Sequence, residues 1–383
     1  MFLHLLQADL KFLKPIRNCF EAAAPGQHVY VFLSDGDISF PVPEYATLVR
    51  KNSEFSRVME RFDNWQGVIV HGVILTVFPM LRLIPPHLKI AWYSWGAEAY
   101  TMTPGLENRL FLPHTKNVLA RLKSTSLLRR LLARGRLLSA IRSAHHRCFC
   151  WPKIRTVTDR YALCVPQVRE EYDLFKKYGL LTHTQYQPGS VGSLEDTVDV
   201  HSDITSPGPD IQIGNSAYAS NNHADAFFIL RSFNLHGRKL ITPLSYGPAP
   251  YRDMILEIGQ SMFGDSFCPL VDFLPLAEYN QLMQRCGVVV MNNCRQQAVG
   301  NLIAALWRGA RVYMNDTTVY RGYRRMGFDI GLIATDLHPD NPKVFEPLTH
   351  DEVLHRRQLL RRTFGRDVIV EQTRMLLRRM QGN

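Results

Sequence analysis

Pro209-Asp210-Ile211-Gln212-Ile213-Gly214-Asn215-Ser216 is a short strand that stops at a small, amide-bearing turn. Some eighty residues later the pattern recurs. Val288-Val289-Val290-Met291 runs into Asn292-Asn293-Cys294-Arg295-Gln296-Gln297-Ala298-Val299-Gly300, where a helix restarts. A strand, a tight polar turn and a helix start direct backbone N–H groups and the positive end of a helix dipole at one spot. That arrangement suits a diphosphate.

Working outward, short apolar runs alternate with helical stretches, the pattern of parallel α/β layers. Leu3–Leu6, Val29–Leu33, Val68–Val70 and Ile90–Tyr93 read as strands of a first sheet, with Ile154–Val157 and Tyr161–Val165 completing it. Residues 187–208 are rich in Gly, Ser, Pro and Thr and read as a linker. A second set follows at Ile211, Lys239–Thr242, Asp265–Pro269, Val288–Met291 and Val312–Asn315. The expected architecture is α/β: two doubly wound, Rossmann-like domains facing a cleft. Residues 1–200 form the first, residues 201–350 the second, and residues 351–383 one or two closing helices.

The chain has 383 residues, enough for two cores, and its 46% hydrophobic and 21% charged content is that of a globular protein. With 45 Lys+Arg against 34 Asp+Glu, the formal charge of +11 points to anionic partners. Seven cysteines without framework spacing suggest reduced thiols and a cytoplasmic protein. The start has no basic leader, and the longest apolar run, Val68–Leu81, is too short to span a bilayer.

From Lys116 to Arg147 there are nine Lys or Arg and no Asp or Glu, interleaved with leucines at helical spacing. This describes a basic amphipathic helix, broken near Gly135, that would rest on an anionic membrane surface through Arg121, Lys123, Arg129, Arg130, Arg134 and Arg136. A core-packed helix with a basic outer face is the simpler alternative. No nucleic-acid motif accompanies the charge, so no nucleic-acid partner is expected.

In the first domain, Trp95-Gly96-Ala97-Glu98 follows a strand. A carboxylate there, boxed by aromatic rings, could accept a proton from a sugar hydroxyl, with Trp95 and Gly96 beside the acceptor. Asp9 and His71 close two other strands and would share that rim. Each could equally be a hydrogen-bonded loop residue. In the second domain, Gly214, Asn215, Ser216 and Asn222 could cradle phosphate, although Asn221, Asn222 and His223 open a helix and capping alone would explain them. Tyr246 and Gly247 follow another strand, where Tyr246 is available to stack on a base and a simple turn is the alternative. Arg295 can bind phosphate oxygens bidentately, and Gln296, Gln297 and Gly300 lie at the next helix start. His145, His146, Cys148 and Cys150 match no structural zinc spacing, and no D-x-D, Walker A or H-E-x-x-H motif occurs. The expectation is therefore no metal and no cofactor.

At these residues the chain resembles the bacterial TDP-4-acetamido-4,6-dideoxygalactose (Fuc4NAc):lipid II transferases of enterobacterial common antigen assembly, which are GT-B glycosyltransferases. The likeness runs from Met1 to Asp329. Its motifs are His4…Asp9, His71-Gly72, Trp95-Gly96-Ala97-Glu98, Gly214-Asn215-Ser216 with Asn222-His223, Tyr246-Gly247-Pro248 and Arg295-Gln296-Gln297…Gly300. Glu98 stands where the pattern has Asp, Gln7-Ala8 replaces Gly-Ser, and Ala217-Tyr218 replaces Gly-Asp. The resemblance implies a nucleotide-sugar donor, TDP-linked, and a polyprenyl-diphosphate-linked or other cell-surface glycan acceptor. It also implies a peripheral position on the cytoplasmic side of a bacterial inner membrane. Two alternatives stay open: a pyruvyl-type transferase using phosphoenolpyruvate, and a non-catalytic glycan-binding scaffold.

Overall fold

The computed structural model describes the chain apart from residues 8, 35, 37, 39, 62–63, 73–77, 125–149, 206–207 and 383. It divides into two compact units. Unit 1 comprises Met1–Glu107, Ile141–Thr197 and Arg362–Asn383, and unit 2 comprises Asn108–Ala140 and Val198–Arg361. The crossings after Glu107 and after Arg361 are absent from the sequence expectation.

Unit 1 is built on seven parallel strands: β1 Phe2–Gln7, β2 His28–Leu33, β3 Ala46–Val49, β4 Gly67–His71, β5 Ile90–Tyr93, β6 Tyr161–Val165 and β7 Gln185–Tyr186. Their order is β3-β2-β1-β4-β5-β6-β7. β1, β4 and β5 are covered on both faces, which is why they read as unbroken apolar runs. One face packs Leu13, Ile16 and Phe20 of the helix Leu10–Ala23 together with Leu376, Leu377 and Met380 of the helix Arg366–Gln381. Each such fully buried side chain contributes about 1.5–3 kcal/mol.

Unit 2 repeats the plan with β8 Ile211–Ile213, β9 Leu240–Pro243, β10 Phe267–Leu270, β11 Val288–Met291, β12 Arg311–Met314 and β13 Gly331–Leu332, in the order β10-β9-β8-β11-β12-β13. All pairings are parallel. In both sheets the chain starts at the centre, winds outward on one side, then returns to wind outward on the other. The strand order reverses between β1 and β4, and again between β8 and β11. In an open α/β sheet, ligands bind beyond the strand carboxyl ends at such a point.

Three sequence readings are corrected. Ile154–Val157 lies within a helix, Trp151–Thr158, not a strand. Ile154, Val157 and Thr158 are its buried residues, at helical spacing, and Pro152 lies in its first turn. The first part of the expected linker, residues 187–197, is packed into unit 1, with Gln187 fully buried and Asp196 accepting from Asn18 Nδ2 at 2.8 Å. The basic segment divides. Residues 113–124 form the helix Pro113–Ser124, whose Val118 joins the core of unit 2. Arg121 is exposed. Arg129, Arg130, Arg134 and Arg136, like His145, His146 and Cys148, lie outside the described residues, as does the side chain of Lys123.

Candidate functional site

At the reversal point of unit 2 the Gly214 turn is pulled against the neighbouring strand, with Gly214 N–H donating to Val290 O at 3.0 Å. Gly214 has φ +63°, and a Cβ there would lie 3.0 Å from both Asn221 Oδ1 and His223 Nε2. Asn221 ties the turn from behind. Its Oδ1 accepts from Asn215 N–H at 3.2 Å, while its Nδ2 donates to Ser216 O at 2.9 Å and Ser216 Oγ at 3.1 Å. The Asn215 N–H, expected to face phosphate, is therefore occupied within the protein, and Ser216 is buried.

A second turn closes on the first. Ala217 N–H donates to Tyr246 O at 2.8 Å, and a Cβ on Gly247 (φ +127°) would meet the Ala217 carbonyl carbon at 2.6 Å. Asn215 Nδ2 donates to Tyr246 Oη at 2.9 Å. The Tyr246 ring is 44% exposed and sits 6.3 Å from the ring of Tyr218, itself 50% exposed.

The third turn, after β11, joins the same cluster. Gln297 Nε2 donates to Asn215 Oδ1 at 3.1 Å, and Gln297 Oε1 accepts from Ser220 Oγ at 2.7 Å. Arg295 Nη1 donates to Gln296 O at 2.6 Å, and Nη2 reaches Ser220 Oγ at 3.5 Å. The helix Val299–Arg308 begins at Ala298, in left-handed conformation, with no side chain capping it and with Gly300 exposed. Its positive end is thus presented beside Arg295 and Gln297, both half-buried. Gln296 is buried.

Asn222 opens the next helix, as its position in the sequence suggested, and its amide is turned into the protein. It is fully buried and left-handed (φ +51°) at the start of the helix His223–Leu230, and every hydrogen-bonding atom of its amide meets protein. Oδ1 accepts from Leu112 N–H at 2.9 Å, and Nδ2 donates to Leu110 O at 3.2 Å and Asn292 O at 3.0 Å. Asn292 in turn accepts from Asn315 Nδ2 at 2.8 Å, so the ends of β8, β11 and β12 are linked through amides. Asp225 completes the clasp by accepting from His114 N–H and Thr115 N–H at 2.9 and 2.8 Å, which fixes the start of the helix Pro113–Ser124. Sequence reasoning missed Ser220, Asn292 and Asn315. Paired amides at Asn221-Asn222 and Asn292-Asn293, each close to a strand end, were the available signal.

In unit 1, the three residues expected to share a rim are placed unequally. Asp9 caps the helix Leu10–Ala23 by accepting from Lys11 N–H at 3.2 Å, meets Lys11 Nζ at 3.1 Å, and keeps its side chain 37% exposed. Glu98 is 3% exposed, and its Oε1 accepts from Trp95 N–H at 2.7 Å, which holds the first turn of the helix Ala97–Met102. Trp95 is half-buried: its ring packs at a tilt, 4.3 Å from that of Phe12, and lies so close over Gly72 that a Cβ there would come within 2.2 Å. Gly96, at φ +89°, makes the bend before Glu98.

His71 is fully buried rather than on the rim. Its Nε2 is 3.1 Å from His4 Nδ1, and His4 Nε2 is 3.0 Å from His28 Nδ1, so three imidazoles run across β4, β1 and β2. Phe20 packs edge-on to all three and Tyr93 stacks on His71 at 4.9 Å. Burial pushes His71 down to about 3 and His4 well below its usual value, the neighbouring imidazoles adding to the effect at His4. The chain of rings is neutral at pH 7.

The fold is GT-B, two parallel-sheet α/β units of the dinucleotide-binding type. No protein-family model matches the chain. Among solved structures it is similar to sucrose-phosphate synthase from Thermosynechococcus elongatus, at 10% identity and TM-score 0.60, covering 100% of this chain and 99% of that one. It is also similar to an α,α-trehalose-phosphate synthase (UDP-forming) from Burkholderia xenovorans in complex with glucose-6-phosphate, at 8% identity and TM-score 0.59, with both chains covered at 100%. A third is Anabaena Alr3699/HepE in complex with UDP-glucose, at 10% identity and TM-score 0.61, covering 99% of this chain and 100% of that one. Among the described residues no helix is long and apolar enough to cross a membrane, and no group of three or more His, Cys, Asp or Glu could hold a metal ion.

Proposed function

We propose that the protein is a glycosyltransferase that moves a deoxy- or amino-sugar from a nucleotide-diphosphate donor, TDP-linked, to a polyprenyl-diphosphate-linked glycan at the bacterial inner membrane. The observation that carries this reading is the joining of three strand-end turns in unit 2 through Asn215, Ser220, Tyr246 and Gln297, beside Arg295 and an uncapped helix start. In a GT-B fold this is where a nucleotide diphosphate belongs. Tyr246 would stack on the base. Arg295 and the N–H groups of the helix Val299–Arg308 would face the diphosphate.

In the proposed reaction the acceptor hydroxyl oxygen bonds to the anomeric carbon while the carbon–oxygen bond to the diphosphate breaks. The electron pair leaves on the diphosphate oxygen, and its charge is met by Arg295 and the helix dipole. The hydroxyl proton passes to a carboxylate of unit 1. Asp9 is the stronger candidate because it is the one of the three unit 1 residues with an exposed side chain, whereas Glu98 and His71 are buried. Membrane attachment would come from the basic segment that begins in the helix Pro113–Ser124.

Thermal-shift measurements with TDP, UDP, GDP and phosphoenolpyruvate test the reading. TDP should raise the midpoint most, with dependence on Arg295 and Tyr246. Stabilisation by phosphoenolpyruvate alone would overturn it in favour of pyruvyl transfer. TDP binding without transfer of any TDP-sugar to polyprenyl-diphosphate glycans would favour the scaffold.

A further inference from the structure

A cavity of about 460 Å³ in unit 2 reaches the start of β12 at Arg311 and the approach to β13 at Asp329. None of the residues placed around the sugar-donor turns lines it. Its volume falls within the roughly 300–1,000 Å³ of small-molecule sites.

Three cations line this cavity without a carboxylate at hydrogen-bonding distance. Arg356 is 3% exposed and donates to two backbone carbonyls, Ala310 O at 2.7 Å and Asp329 O at 2.6 Å, with the Asp329 carboxylate 3.9 Å away. Arg311 donates from Nε to Glu346 O, and its nearest carboxylate oxygen, on Glu346, is 4.0 Å away. Lys343 is exposed, and among the described residues its ammonium meets no carboxylate.

The lining carboxylates are mostly engaged elsewhere. Asp336 accepts from Leu332 N–H at 2.7 Å and Thr335 Oγ1 at 2.9 Å. Glu352 accepts from Thr349 N–H at 2.7 Å, and Asp329 Oδ1 accepts from Arg324 at 3.0 Å. Only Glu346 keeps a carboxylate without a hydrogen bond. Burial pushes the Arg356 guanidinium down to about 10, and the adjacent Arg311 charge acts in the same direction against the pull of Asp329. A buried guanidinium solvated by carbonyls, with its nearest carboxylate at 3.9 Å, is stabilised by an anion that comes within hydrogen-bonding distance.

We propose that this cavity is a second ligand site, for a small polyhydroxylated molecule bearing one anionic group, either a phosphate monoester or a carboxylate. Arg311, Lys343 and Arg356 meet the anion, and Glu346 accepts from the hydroxyls. A second negative group on the ligand would face Asp329 and Glu352, which restricts the site to one anionic head. The proposal does not depend on the sugar-transfer reading.

Calorimetric titration of the full chain with glucose 6-phosphate, glucuronate and glucose tests it. At least one anion should bind, roughly tenfold or more tighter than glucose, and added salt should weaken the binding. Whichever anion binds identifies the head group. Excess TDP should leave the affinity unchanged. Arg311→Met, which keeps the aliphatic stem, and Lys343→Met, at an exposed position, should each weaken binding by roughly tenfold, Lys343→Met with an unchanged urea midpoint. Absence of binding by both anions down to a Kd of about 10 mM would overturn the proposal. So would displacement by TDP, or wild-type affinity in both methionine variants.

Discussion

Asn222 and Asn292 each donate a side-chain N–H to the other's backbone carbonyl, both at 3.0 Å, across the point where the strand order of unit 2 reverses. Both side chains are buried, so neither amide is available to a ligand. Their effect on a ligand is indirect: they set the spacing of the two turns that carry the exposed groups.

Replacing either asparagine by alanine should strand its partner's carbonyl and destabilise unit 2 by roughly 1–3 kcal/mol. The double variant should cost less than the sum of the singles, with a coupling of roughly 0.5–3 kcal/mol in urea denaturation. Strict additivity would show that the pair does not act as one clasp.

Gly247→Ala places a methyl group 2.6 Å from backbone at a φ of +127°. Backbone cannot step aside as a flexible side chain can, so the Tyr246 and Gly214 turns should separate, at a cost of roughly 1–3 kcal/mol. A thermal midpoint equal to wild type would mean the two turns are not in contact in solution.

Arg295→Ala should cost roughly 0.5–1.5 kcal/mol of stability, from the loss of its hydrogen bonds to Gln296 O and Ser220 Oγ. Turnover should fall by roughly 10²-fold or more, as when one charge-stabilising group of a leaving oxyanion is removed, and Arg295→Lys should recover part of it. Steady-state rates with a TDP-sugar check this.

Asp9→Asn should lower kcat by roughly 10²–10⁴ with little change in KM for the nucleotide sugar. Glu98→Gln should act chiefly on stability, because Glu98 Oε1 holds the Trp95 N–H. The reverse pattern would return Glu98 to the position of proton acceptor.

His4, His71 and His223 are buried and held neutral, with His71 and His223 down to about 3. An unfolded chain would protonate them near pH 6.5, which the folded cores resist. Their contribution to stability is therefore complete above about pH 6.5 and is lost as pH falls toward 3, by up to roughly 1.4 kcal/mol per pH unit for each. His71→Leu should flatten this acid limb by about one proton in urea melts taken between pH 7 and 4. An unchanged slope would show that His71 titrates normally in the folded protein.

The central strands were legible because parallel strands covered on both faces read as apolar runs: Leu3–Leu6, Val68–Val70 and Val288–Val290 could hardly be anything else. β3, β7 and β13 were not, because they lie toward or at sheet edges and two of them have only two residues, as in Gln185–Tyr186 and Gly331–Leu332. The two glycine- and amide-bearing turns announced themselves through local composition, and their meeting followed once β8 and β11 paired. The histidine chain was hidden, since only the register of β2, β1 and β4 brings His28, His4 and His71 into line. The burial of Glu98 was hidden for a related reason. A carboxylate three residues after an aromatic at a strand end looks chemically exposed, yet the same spacing lets it fold back onto a backbone N–H.

The last helix of the chain, Arg366–Gln381, supplies Leu376, Leu377 and Met380 to the core beneath the very first strand. During synthesis, the N-terminal sheet therefore emerges long before the segment that covers it. It must wait, with that apolar face open, until residues 366–381 have left the ribosome. A fragment ending near residue 364 would keep that vulnerability permanently and leave unit 2, which ends at Arg361, intact, so loss of this last helix should drive unit 1, not unit 2, into aggregates.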